Sequence, residues 1–202
     1  MSSTNRGYER HKVDFYVTPQ DCIKQFFGYW LDDLMGEFHD DQLSVGTDPD
    51  KAKWLDPCAG GADNHEMSYP AVIKAEFDAE VGTIDYRENS LAERKEDYLL
   101  ADITPEYYDI IITNPPFYIA REVIEKALKD VKTGGYVVML LRLNFFGSNQ
   151  RLDFWEKQLP TWAYVHHRRF SFTDDGKTDS IEYMHAVWQK DADPAFTMLK
   201  VI

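Results

Sequence analysis

Pro115 and Pro116 close a strand and leave the chain no helical way out of it. The run Tyr108-Asp109-Ile110-Ile111-Ile112-Thr113 is β-branched and reads as a buried strand, and Asn114-Pro115-Pro116-Phe117 follows it directly. Neither proline can donate to a sheet ladder, and the residue ahead of a proline is pushed away from the helical region, so the chain leaves as a stiff, open corner. The carbonyls of that corner and the Asn114 amide can converge on one polar guest, while Phe117 supplies a flat apolar face. Such a corner suits a planar amine. Taken alone, the tetrapeptide serves equally well as a strand-ending turn, because Asn and Pro are ordinary turn residues.

Around the corner, strand and helix signals alternate. Thr18-Pro19-Gln20-Asp21 reads as a helix start with Thr as cap and Pro at the first helical position, after which Ile23, Phe26, Phe27, Trp30, Leu31 and Leu34 recur at helical spacing. Short strands are expected at 54–56, 81–85 and 99–103, ahead of the 108–113 strand. Helices are expected at 71–77 and 119–131, the latter stopped by Gly134-Gly135. Residues 136–141 form a second nearly continuous apolar run, as expected of a strand covered on both faces. Residues 162–170 and 181–189, joined by the turn-rich segment 173–177, read as an antiparallel pair. The pattern predicts one α/β domain over 1–202: three layers, a mostly parallel seven-stranded sheet with a C-terminal antiparallel hairpin, and a crevice at the carboxyl ends of the strands. Residues 1–12 are polar and expected to be loose, and 38–53 reads as an acidic connector.

Charge narrows the partners. Across 202 residues the formal net charge is −13, which argues against a general polyanion-binding surface, since non-specific affinity for nucleic acid comes from Lys and Arg neutralising phosphates. Any such contact must be local. The densest basic stretch is His166-His167-Arg168-Arg169, with Arg142, Arg151 and Lys177 as additions, and a solvated edge strand explains it as well as phosphate binding does. No apolar run approaches the roughly 20 residues that span a bilayer, and no leader pattern opens the chain, so a cytoplasmic location is expected, in a bacterium or a phage-infected host. Cys22 and Cys58 lack metal-ligand spacing and read as reduced thiols. His65 beside Glu66 likewise reads as loop, so no metal is expected.

Upstream of the corner lies Asp56-Pro57-Cys58-Ala59-Gly60-Gly61, where small residues let the backbone approach a ligand. A structural turn would look the same. Asp85 closes the next strand, where doubly wound folds place an acid on ribose hydroxyls, though an exposed strand-end Asp is common. Asp102 closes the expected third strand and could receive an adenine amine or sit in a solvated turn.

Together these pieces resemble the S-adenosylmethionine-dependent amino-group methyltransferases, in particular the small, often phage-borne DNA adenine-N6 methyltransferases. The likeness runs from Tyr16-Val17-Thr18-Pro19, through the Asp-Pro-Cys-Ala-Gly-Gly loop, Asp85 and Ala101-Asp102, to Asn-Pro-Pro-Phe, in the family's order. It implies a Rossmann-like methyltransferase fold with S-adenosyl-L-methionine as cofactor and no separate target-recognition domain. Carried over, Tyr16, Thr18 and Pro19 flank the cofactor's methionine end, and Asp56, Pro57, Cys58, Ala59 and Gly60 form the loop beneath it. Asp85 takes the ribose hydroxyls, Asp102 and Ile103 surround the adenine, and Asn114 also touches the cofactor. The sequence departs from the family at Gly61-Ala62-Asp63-Asn64, where a second, separated glycine is usual.

The implied chemistry is methyl transfer to an exocyclic amine, a poor nucleophile because its lone pair is delocalised into the ring. The Asn114 side-chain oxygen and the Pro115 carbonyl can each accept one amine proton and favour the pyramidal form, contributing several kcal/mol if they strengthen toward the transition state. Phe117 would stack on the base, and Pro116 keeps the corner rigid. DNA is the expected partner, with Arg168, Arg169 and Lys177 as local contacts, and the segments 144–150 and 173–180 as candidate readers of sequence. RNA amines, a non-catalytic cofactor-binding scaffold, a homodimer and a basic partner subunit stand as alternatives.

Overall fold

The computed structural model describes residues 16–35, 48–172 and 178–202. Residues 1–12, most of the expected acidic connector, and the 173–177 turn with Lys177 lie outside the described residues. Helix α1 (Gln20–Met35) precedes β1 (Trp54–Asp56), α2 (Ser68–Phe77), β2 (Val81–Asp85) and a two-residue β3 (Arg94–Lys95). Then come β4 (Tyr108–Thr113), α3 (Ala120–Asp130), β5 (Val131–Arg142), a short α4 (Leu152–Trp155), β6 (Trp162–Val165), β7 (Tyr183–Gln189) and β8 (Met198–Val201). They build one eight-stranded sheet in the order β3-β2-β1-β4-β5-β7-β6-β8. The pairings are parallel except those β7 makes with β5 and β6, so β7 runs against its neighbours.

Strand periodicity separates two apolar layers. Ile110 and Ile112, with Tyr136 and Val138, join the cluster formed with Ile23, Phe26 and Trp30 of α1 and Ile73 and Phe77 of α2. Ile111, with Val137 and Met139, joins Val123, Ile124 and Ala127 of α3. Both faces of the central strands are therefore covered, which is why they read as continuous apolar runs. Each such side chain contributes roughly 1.5–3 kcal/mol by leaving water.

The structure corrects several local expectations. Residues 99–103 are not a strand: the Asp97 carboxylate accepts the Leu99 N–H at 2.9 Å, and its carbonyl accepts those of Leu100 and Ala101, forming a turn. Leu100 is left 85% exposed, while Ala101 and Ile103 of the same run are buried. The helix expected over 119–131 forms as Ala120–Asp130, but it passes straight into β5, so Gly134-Gly135 lie inside that strand rather than stopping the helix. Gly135 instead serves strand packing, because a Cβ there would lie 2.5 Å from the Asp109 carbonyl oxygen. Six of the seven expected strands form, and two strands were not expected: the short β3 beside β2, and β8, which pairs with β6 and takes the outer edge. The stretch 162–170 is thus no solvated edge strand; it leaves the sheet after Val165.

Candidate active site

β1 and β4 are neighbours, yet the chain proceeds from β1 toward β2 and from β4 toward β5, on opposite sides. Such a reversal opens a crevice at the strand carboxyl ends. A cavity of about 420 Å³ lies there, in the size range of small-molecule sites. The residues expected to be catalytic or to hold the cofactor line it, apart from Pro19, Asp102 and Ile103. Asp56, Glu66, Asp85 and Asp97 line it against Arg87, a balance that favours a cationic guest.

Asp56 ends β1 at only 1% exposure. Its Oδ1 accepts the Thr113 hydroxyl at 2.6 Å and the Cys58 N–H at 3.2 Å. Burial outweighs both bonds, and its pKa is pushed up to about 7. A carboxylate so placed gains from a ligand cation. Burial raises the neighbouring Cys58 thiol as well, so it stays protonated.

Asp85, ending β2, is tied into the loop after β1. Its Oδ2 accepts the Gly60 N–H at 2.8 Å, while Oδ1 accepts the Arg87 N–H at 2.8 Å and Nε at 3.1 Å. A carboxylate offers about four lone-pair positions, so one on Oδ2 remains for a hydroxyl. Gly60 and Gly61 have φ of 70° and 75°, conformations that favour glycine, and a Cβ at Gly61 would lie 2.8 Å from Met67 Cγ. Where the family pattern has its second glycine, Ala62 exchanges backbone hydrogen bonds with His65 at 2.8 and 2.9 Å, at ordinary φ. The departure is accommodated without strain.

Asn114 follows β4, and its Nδ2 donates to Thr18 Oγ1 at 3.1 Å. Thr18, ahead of α1 and 2% exposed, thus meets the corner, and the bond orients the amide with Oδ1 as its remaining acceptor. The Pro116 carbonyl accepts the Ile119 N–H at 3.1 Å, whereas among the described residues none donates to the Pro115 carbonyl. Phe117 is partly buried against Tyr183 (5.9 Å between centroids) and faces Tyr16 (6.4 Å), with the Arg142 guanidinium 4.3 Å from its ring. Arg142, grouped from sequence with phosphate-binding residues, is a neighbour of Phe117 instead.

The expected adenine partners stand elsewhere. Asp102 is exposed, its carbonyl accepting Arg94 Nη2 at 3.1 Å, and Ile103 is buried in the core. The Asp97 turn moves the lining to Asp97, Tyr98 and Leu99, a set the sequence reading missed; an Asp two residues ahead of a backbone donor was the available signal. Glu66, Ser68 and Tyr69 at the start of α2 were missed too, because that helix begins at Ser68 rather than at 71. The basic stretch is split: His166 is buried, with its pKa lowered to about 4 by desolvation, while Arg168 and Arg169 are exposed and Arg169 pairs with Glu182 at 3.1 Å.

Compared with protein-family models and with curated proteins, the sequence gives no match. Solved structures do resemble it. A Listeria monocytogenes protein assigned as a class I S-adenosylmethionine-dependent methyltransferase superposes with a TM-score of 0.58 at 16% identity, covering 92% of this chain and 65% of its own. The methyltransferase subunit of a type I restriction-modification system from Streptococcus thermophilus gives 0.56 at 13%, covering 90% and 51%. An RNA methyltransferase from Salinibacter ruber, in complex with S-adenosyl-L-homocysteine, gives 0.50 at 11%, covering 89% and 97%. The chain therefore spans about two thirds of the first protein and half of the second. Among the described residues no helix is long and apolar enough to cross a membrane. Across such distant sequences the shared property is architecture, and the fold of this chain is the Rossmann-like methyltransferase fold.

Proposed function

We propose that this protein transfers a methyl group from S-adenosylmethionine to the exocyclic amine of adenine in DNA. The observation that carries the reading is the Asn114 amide, held by Thr18 with Oδ1 as its remaining acceptor, beside a Pro115 carbonyl that no described residue engages, on the wall of an acid-lined cavity. The cavity's own groups fit the cofactor: buried Asp56 for an ammonium, the remaining Oδ2 position of Asp85 for a ribose hydroxyl, and the Gly60-Gly61 bend for close backbone approach. When bound, S-adenosylmethionine supplies a methyl on a sulfonium, an electrophile that needs a neutral amine opposite it.

Asn114 Oδ1 and the Pro115 carbonyl would take the two amine protons, freeing the nitrogen lone pair and fixing its direction. Phe117 and Tyr16 supply apolar faces for the base. An amine that has gained a methyl and a positive charge loses its proton readily, so no strong base is required. Arg168 and Arg169, beyond the carboxyl end of β6, are the described cations for phosphate contact; Lys177 belongs to the same expectation.

Mass spectrometry of nucleosides from cells expressing the chain tests the proposal. N6-methyladenine in DNA above the background of cells expressing Asn114→Ala is expected. A methylated base confined to RNA would move the substrate, and cofactor binding without any methylated nucleoside would make the chain a scaffold.

A further inference from the structure

Three buried rings run from the cavity into the core beneath α1. Tyr69, which lines the cavity, places its hydroxyl 2.9 Å from Nε2 of His185. His185 Nδ1 lies 2.8 Å from Nε2 of His166. All three residues are at most 2% exposed, and Phe26 stacks on His185 at 4.3 Å between centroids. Desolvation lowers both histidine pKa values, so each ring is neutral near pH 7 and carries one N–H.

One proton per bond permits two polarities. Either Tyr69 donates inward and the row ends on a His166 Nδ1–H, or His166 Nε2–H donates to His185, His185 Nε2–H donates to Tyr69, and the tyrosyl proton points outward. His166 Nδ1 is buried and has no hydrogen-bond partner among the described residues. Orphaned buried N–H donors are rarer than under-satisfied acceptors, so the bare nitrogen belongs at this end.

We propose that the row His166–His185–Tyr69 makes Tyr69 a fixed hydrogen-bond donor on the cavity wall, where it positions the carboxylate of the methyl donor's amino-acid end. The choice of ligand rests on the cofactor reading above. In an amino acid the ammonium and carboxylate share one carbon, so an ammonium on Asp56 brings a carboxylate close to another carboxylate. That arrangement needs a donor nearby, and Tyr69 provides one that the two imidazoles prevent from turning inward. Tyr69 is a positioning residue, and His185 and His166 act through it.

Long-range proton–nitrogen correlation spectra of the ligand-free protein measure the polarity directly. Nε2–H tautomers with bare Nδ1 are expected for both His185 and His166; an Nδ1–H on either overturns the donor assignment, whatever the cofactor. Calorimetry on wild type and Tyr69→Phe then uses S-adenosylhomocysteine and its decarboxylated analogue, which keeps the ammonium. The variant should bind the first about tenfold more weakly and the second as wild type does. Equal losses for both compounds, or none for the first, would overturn the carboxylate role. Wild type binding neither compound would overturn the cofactor reading and that role with it, while the spectra still decide the polarity.

Discussion

Replacing Asp56 by Asn separates what this carboxylate does to the fold from what it does for a ligand. The pKa is raised from 3.8 to about 7, chiefly by burial, which is roughly three units, or about 4 kcal/mol at about 1.36 kcal/mol per unit. Between those values the native state keeps a proton that the unfolded chain has released. Stability from this group is therefore fully present below about pH 4, is lost as pH climbs toward 7, and stays lost above it. Asn has nearly the same shape, its oxygen can accept the Thr113 hydroxyl and the Cys58 N–H, and it carries no charge to desolvate. Urea denaturation of the ligand-free proteins from pH 5 to 8 should show the variant gaining on wild type with rising pH, by roughly 2.6 kcal/mol across that window, the rest of the ~4 kcal/mol being already lost by pH 5. Titration with S-adenosylhomocysteine should show the opposite ranking: an ammonium without its anion loses about 3 kcal/mol, more than a hundredfold in affinity. A stability difference that does not change between pH 5 and 8 would refute the desolvated carboxylate, and undiminished affinity would refute the ammonium site.

Further perturbations test other parts of the site. Asn114→Ala removes one half-buried hydrogen bond to Thr18, so it should cost about 1 kcal/mol in melting experiments yet lower single-turnover methyl transfer more than a hundredfold; wild-type turnover would refute its role. Asp85→Ala leaves the buried Gly60 N–H without its acceptor, so stability should fall by about 1–3 kcal/mol together with cofactor affinity; an unchanged affinity would reject the ribose assignment. Gly135→Ala drives a Cβ against the Asp109 and Lys132 carbonyls at 2.5 and 2.9 Å, backbone atoms with little room to yield, and should cost about 1–3 kcal/mol; an unchanged melting temperature would refute the close approach.

The legible parts of the fold were those written in neighbouring residues. Ile110, Ile111 and Ile112 announce a strand covered on both faces, and the structure puts them in alternate apolar layers. The diproline corner and the Asp56–Gly61 loop were identified because proline and glycine restrict or free the backbone wherever they stand, and both line the cavity. The adenine side was misread because Leu99-Leu100-Ala101 has the composition of a short strand, while a single side-chain hydrogen bond from the Leu99 N–H to Asp97 turns it. The strand β8 escaped notice because it is only four residues long, Met198–Val201, and its apolar residues Leu199 and Val201 are exposed at the sheet edge.

By itself, then, the amino-acid order determined the α/β alternation, the stiff Asn-Pro-Pro-Phe corner, the glycine bend and the acids at the strand ends, all set by local sterics and a two-residue period. Only the tertiary structure decided which groups share a low-dielectric space: that Thr18 orients Asn114, that Arg142 lies against Phe117, and that Asp56 titrates near neutrality. It also joined Tyr69 of α2 to His185 of β7 and to His166, a residue that sequence had grouped with exposed cations. Contacts between residues as far apart as 96 and 116 positions, and the burial that shifts their charges, arise from the packing of layers, which no window along the chain contains.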